Sequence, residues 1–141
     1  MRILNLTDWK LTGFWPYTPL FGKSMETGFS TAGCTCVDAA VPGSIHDALL
    51  KAGVIEDPYY EQNSLKCEWV SNRWWVYETT FCCQPPQTGR TFLTFKGIDY
   101  EAVFFLNGQK IGEHKGMYIP CRLDVTHLIQ EQNFLLVVLK N

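Results

Sequence analysis

The chain has 141 residues, enough for one domain with a proper core and no need of covalent staples. Its composition is 46% apolar and 18% charged, and a net charge of −2 offers nothing to attract nucleic acid or an anionic membrane. No segment reaches the ~20 apolar residues of a membrane span, and MRILNLTDWKL lacks the apolar run and cleavage site of a signal peptide, which leaves cytoplasm and periplasm both open.

Arg2–Leu6 reads as a short strand, and Trp9–Thr12 as another or as its continuation past Thr7-Asp8. Between Gly13 and Gly33, Pro, Gly and hydroxyl residues break every pattern, so this stretch reads as an irregular surface excursion. Cys36–Ala40 is extended and ends at Val41-Pro42-Gly43. Ser44 is a good N-cap, and Asp47 favours the positive end of a helix dipole. The predicted helix Ile45–Ala52 stops at Gly53 and puts Ile45, Ala48 and Leu49 on one face. Glu56–Ser71, with Pro, Asn and scattered aromatics, reads as a loop with at most one helical turn.

Arg73–Cys83 is a long strand. Trp75, Tyr77, Thr79 and Phe81 share one face, and Trp74, Val76, Glu78 and Thr80 the other. After Pro85-Pro86 comes the centre of the pattern, Arg90–Gly116, read as two or three strands folded on themselves. Thr91–Phe95 and Tyr100–Leu106 flank Lys96-Gly97, and Asn107-Gly108 turns the chain back through Gln109–Glu113. Ala102–Leu106 is apolar at every position, so this strand is covered on both faces. Met117–Val125 is a strand interrupted by Pro120, at an edge or a bulge. Thr126–Ile129 forms one helical turn, and Asn133–Leu139 is again continuously apolar. One short helix against six to eight strands at hairpin spacing predicts an all-β sandwich. Such an apolar strand only two residues from the chain end predicts a piece of something longer.

Candidate chemistry is sparse. The six cysteines (Cys34, Cys36, Cys67, Cys82, Cys83 and Cys121) read as free, mostly buried thiols; Cys34-x-Cys36 has the wrong spacing for zinc. His46, His114 and His127 share no spacing with a nucleophile or metal ligand and read as surface residues. Neither a metal site nor a cofactor motif is predicted. A retaining glycosidase would need two carboxylates about 5–5.5 Å apart. The candidate acids are Asp38, Asp47, Glu56, Asp57, Glu78, Asp99, Glu101 and Asp124, with Glu78 read as a solvated strand residue. No catalytic dyad stands out among them.

Five motifs occur in a fixed order. Val41–Asn63 runs V-P-G-S-I through D-P-Y-Y to Asn; Trp69-Val70 leads to Trp75, Tyr77 and Phe81; Phe95–Asp99 reads F-K-G-I-D; Leu106–Gly112 reads L-N-G-Q-K-I-G; and Arg122–Leu128 contains D-V-T-x-L. In this order they resemble the N-terminal domain of glycoside hydrolase family 2 enzymes, in their β-mannosidase branch. The resemblance implies a jelly-roll β-sandwich, similar to galactose-binding domains, over residues 1–141. In the whole enzymes an immunoglobulin-like sandwich and a (β/α)₈ barrel follow, and both catalytic Glu lie in the barrel. The chain is then expected to be a non-catalytic fragment that docks on the barrel and helps wall the pocket. Its partners would be those domains and the terminal β-linked sugar, with no cofactor, nucleic acid or membrane.

The branch's G-W-D-W-G-P motif is absent from this chain, and Trp74 stands where the branch often has an acidic residue. In the related β-galactosidases an Asn shortly before this strand reaches the active-site pocket, and Asn72 occupies a comparable place. Asn72 and Trp74 are therefore the substrate-binding candidates. Trp74, opposite Trp75, either faces the sugar or the barrel or is covered by a neighbouring loop. Exo-β-glucosaminidases carry similar segments and are the nearest enzymatic alternative. An autonomous carbohydrate-binding module, marked by an exposed row of aromatics, and an interaction domain without a sugar role are alternatives of other classes.

Overall fold

In the computed structural model, residues 1–17, 20 and 36–140 are described. The β-turn at Asn107-Gly108 forms as its chemistry requires, with both residues in the left-handed region at φ 51° and 81°. It joins β5 (Glu101–Leu106) to β6 (Gln109–Lys115), with a register shift between Phe104 and Phe105. On its other edge β5 pairs with β8 (Gln132–Lys140), and β8 pairs with β3 (Trp74–Cys82). β1 (Asp8–Phe14) and β2 (Val37–Ala40) complete an antiparallel sheet ordered β2-β1-β3-β8-β5-β6. The continuously apolar β5 and β8 are thus interior strands, as their sequences predict.

A smaller sheet pairs β4 (Phe92–Phe95) with β7 (Cys121–Asp124). Here the structure corrects the sequence reading, in which the strand around Phe92–Phe95 folds against its neighbour within one hairpin cluster. β4 lies over β5, not beside it. The Phe95 ring stacks on Phe104 at 4.4 Å between centroids, and Ile98 is buried in the connection, so β4 is held face to face across the core. Pro120 directly precedes β7, consistent with the predicted break.

The core between the sheets gathers Trp9, Leu11, Trp75, Tyr77, Phe104 and Leu135 from the larger sheet, with Cys121, Val125 and Ile129 from the opposite side. Helix α1 (Ile45–Lys51) closes it with Ala48 and Leu49. Ser44 caps α1, its Oγ accepting from the Asp47 amide at 3.1 Å, and Gly53 lies beyond its end at φ 73°. Glu56–Ser71 is more helical than predicted: it contains α2 (Asn63–Lys66) and most of a 3₁₀ turn over Glu68–Asn72. Arg2–Leu6 is not a strand. β1 begins at Asp8, where its partner β2 begins to supply hydrogen bonds, and the segment before it is mostly exposed.

The outer face of the larger sheet is apolar too. Phe14, Trp74, Val76, Val103, Leu136 and Val138 form a second buried cluster, with Leu20, Phe105 and Phe134 packed against it. Five cysteines are free, but only Cys67 and Cys121 are buried; Cys36 and Cys82 are exposed and Cys83 is half-buried. Cys34 and most of the Gly13–Gly33 excursion lie outside the described residues.

Candidate functional site

The start of β3 is the best-defined place where side chains emerge from a rigid support. In the 3₁₀ turn Glu68–Asn72, the Ser71 hydroxyl donates to the Glu68 carbonyl at 2.8 Å, and the Arg73 amide donates to the Val70 carbonyl. The buried Trp75 indole N–H also donates to Val70, at 2.9 Å, locking the turn to the core. Trp75 enters that core beside Trp69 (centroids 6.1 Å apart). Asn72, the last residue of the turn, is exposed.

Alternation sends Trp74 to the opposite face, as predicted. It is not open to solvent there, being only 4% exposed. Tyr17, from the segment after β1, lies over it with ring centroids 4.7 Å apart, and the Lys140 ammonium sits 5.7 Å from its ring. Lys140 is ion-paired to Glu101 at 2.9 Å. Of the two candidates, Asn72 is therefore exposed and Trp74 buried.

Arg73 lies between them, and its guanidinium rests 3.5 Å from the centre of the Trp15 ring. Its Nε is buried without a hydrogen-bond partner, and no carboxylate of the described residues pairs with the side chain. A donor stranded in this way costs about 1–3 kcal/mol. Trp15 and Tyr17 are themselves half or more exposed, at 50% and 63%. Sequence reasoning named Asn72 and Trp74 but missed these two aromatics. They reach Arg73 and Trp74 from far upstream, through an irregular run without periodicity.

A concavity of about 630 Å³ lies on the outer face of the larger sheet, lined by Lys10, Asp38, Glu78, Thr80 and Phe134 among others. Lys10 pairs with Asp38 across β1 and β2 at the exposed rim. Glu78 is not the solvated strand residue expected. It is half-buried, and burial pushes its carboxyl up in pKa while nearby Lys10 draws it down.

Four of the other candidate acids are engaged locally. Glu56 pairs with Lys66 and Glu101 with Lys140. The Asp57 carboxylate accepts from the Tyr59 amide, and Asp124 accepts from Thr126. His46 and His127 are exposed, whereas His114 is half-buried with Nε2 2.8 Å from the Gly116 carbonyl oxygen. Among the described residues no three His, Cys, Asp or Glu side chains converge as a metal site.

Comparison with known proteins gives this geometry a context. Residues 23–141 match the family model described as glycosyl hydrolase 2 galactose-binding domain-like. A β-mannosidase of Capra hircus is 35% identical over 99 residues, which is 69% of this chain and 11% of that protein. Beta-mannosidase B of Thermothelomyces thermophilus is 35% identical over 98 residues, covering 69% of this chain and 12% of that one. The crystal structure of a β-D-mannosidase from Dictyoglomus thermophilum superposes with a TM-score of 0.81 at 30% identity, over 99% of this chain and 16% of the other. A β-glucuronidase of Ruminococcus gnavus shares the fold at a TM-score of 0.61 and 20% identity, over 100% of this chain and 23% of the other. The chain thus spans only a small fraction of the length of these relatives.

Proposed function

The chain belongs to the galactose-binding-like domains of glycosyl hydrolase family 2, on the β-mannosidase side of that family, and from that premise we propose that it is the non-catalytic N-terminal domain of a retaining β-mannosidase-like exo-glycosidase. The domain docks on the catalytic barrel of the parent protein and contributes Asn72 to the wall around the terminal sugar. The parent hydrolyses a β-linked mannosyl residue through a covalent glycosyl-enzyme intermediate, with both carboxylates supplied from outside this chain.

The observation that carries this reading is the fixed exposure of Asn72. A turn tied to the buried Trp75 fixes the backbone of Asn72 and leaves the residue exposed, where its carboxamide can donate and accept. Trp74, buried under Tyr17, serves the packing that keeps the start of β3 in place. Among the described residues, Glu56 and Glu101 are paired with lysines and Asp124 is used in a turn, which supports a non-catalytic role.

The test compares this chain with the longer polypeptide that carries it. The longer protein is expected to hydrolyse an aryl β-mannoside. The isolated chain should neither hydrolyse it nor bind mannose, mannobiose or galactose in calorimetric titration. Turnover by the isolated chain, or millimolar binding of these neutral sugars, would sink the proposal; binding without turnover would mark an autonomous carbohydrate-binding module.

A further inference from the structure

We propose that Arg73, Trp15 and Asn72 form a binding site for the carboxylate of an acidic sugar, a hexuronate or a glycan that contains one. The first ground is charge. The neighbouring cation Lys140 has Glu101 at 2.9 Å, and Lys10, Lys66 and Lys110 each have a carboxylate as well. Arg73 has an aromatic ring where those lysines have an anion, its guanidinium lying over Trp15 with no carboxylate of the described residues beside it.

The second ground is preorganisation. The guanidinium carbon lies 3.5 Å from the centre of the Trp15 ring, which restrains the head group, and Nε is already buried without an acceptor. The donors left to meet a ligand are the terminal Nη groups, whose fork geometry suits two carboxylate oxygens better than scattered hydroxyls. An ammonium at this position would offer a point charge and no plane.

The third ground concerns the class of ligand. Trp15, half exposed, presents aromatic surface at the guanidinium, and the exposed Asn72 directly precedes Arg73 in the chain. Aromatic faces suit the C–H faces of a pyranose, while an amide donates to and accepts from its hydroxyls. A small acidic peptide would use the charge and the amide but brings no C–H ring face to lay on the indole. The sugar is therefore the better fit. The site rests on residues of this chain alone and does not depend on the activity of a parent enzyme.

The experiment is an NMR titration of the ¹⁵N-labelled chain, following the Trp15 indole N–H and the Arg73 Nε–H signals. The probes are glucuronate, mannuronate, neutral mannose and N-acetylglutamate, at low salt. Saturable shifts of both signals with a hexuronate are expected in the millimolar range, at least about tenfold weaker with mannose or N-acetylglutamate. Arg73→Gln should abolish the shifts and Arg73→Lys weaken them, with unchanged far-UV circular dichroism showing that both variants are folded. Should either variant fail to fold, suppression of the wild-type shifts by about 0.5 M salt provides the independent check on charge. No saturable shift with either hexuronate up to about 50 mM would overturn the proposal. Equal binding by folded Arg73→Gln would overturn it too, and N-acetylglutamate binding as tightly as the hexuronates would overturn the assignment to a sugar.

Discussion

Asn107 and Asn133 are joined side chain to side chain, the Asn107 Nδ2 donating to the Asn133 Oδ1 at 3.1 Å. The same Asn107 group donates to the Leu128 carbonyl at 3.1 Å, and its Oδ1 accepts from the Phe134 amide at 2.8 Å. Asn133 is only 3% exposed; its Nδ2 donates to the Gln130 carbonyl at 2.7 Å and also lies 3.5 Å from the Cys83 sulfur. One small polar network therefore ties the β5–β6 turn, the end of β3 and the entry to β8 together. These bonds satisfy the buried Asn133 amide and the half-buried groups around it.

Removing its centre leaves several of those groups unpaired. Asn133→Ala is expected to lower stability by about 2–4 kcal/mol, from at least two lost hydrogen bonds and their stranded partners. Urea denaturation would read this as a lower midpoint with an unchanged slope. A loss below about 0.5 kcal/mol would mean that water replaces the network.

Two glycines make a matched pair. A Cβ at Gly13 would lie 2.9 Å from the end of the Trp75 ring, and a Cβ at Gly112 would lie 2.9 Å from a methyl of Leu123. Trp75 is 3% exposed and held by its bond to Val70, so its ring has nowhere to go; half-buried Leu123 can turn its methyl aside. Gly13→Ala should therefore cost about 1–3 kcal/mol and Gly112→Ala much less. Thermal melts of the two variants side by side decide it, and equal losses would contradict the argument.

What could be read in advance follows from how local the signal is. The Asn107-Gly108 turn, the Ser44 cap and the alternation of β3 are each specified within a few residues, and each forms as read. β4 is different. Nothing within Phe92–Phe95 says whether it lies beside β5 or over it, because its partner β7 starts at Cys121. Arg2–Leu6 has a strand-like composition but no partner opposite it, and hydrogen bonds rather than composition define a strand. For the candidate site, alternation correctly set Trp74 against Trp75. It could not foresee that Tyr17 covers Trp74 or that Trp15 meets Arg73, since both contacts come from a distant irregular segment.

Two carboxyls should shape the pH dependence in opposite directions. Burial raises the Glu78 pKa in the folded chain, so folding favours its protonated form. Its contribution is fully present below the unfolded value and is lost as pH rises through the folded one. Asp124 is lowered, first by the Thr126 hydroxyl, then by the Thr126 amide and by Arg90 and His127. Its contribution is present above the unfolded value and is lost as pH falls through the folded one. In melts between about pH 3 and 7, Glu78→Gln should raise the midpoint at neutral pH relative to the wild type, with the gain fading in acid. Asp124→Asn should lower the midpoint at neutral pH and lose that difference in acid. Parallel curves for either variant would refute its assignment.

Asn72 and Trp74 should separate cleanly when each is replaced in the parent enzyme proposed above. Asn72 is exposed and has no packing role, so Asn72→Ala should leave the melting temperature within about 2 °C of the wild type. If its carboxamide meets the sugar, the same variant loses about 1–2 kcal/mol of transition-state binding, a five- to thirtyfold fall in kcat/KM. Trp74 is buried against Tyr17, Val76 and Val138, and Trp74→Ala should destabilise the domain by about 3–5 kcal/mol. Trp74→Phe, which keeps most of the packing, should recover much of that stability and retain near wild-type kcat/KM. A large loss of kcat/KM in Trp74→Phe with stability intact would instead put the indole in contact with substrate. That outcome would require Tyr17 to move aside, since its ring now occupies the face a sugar would need.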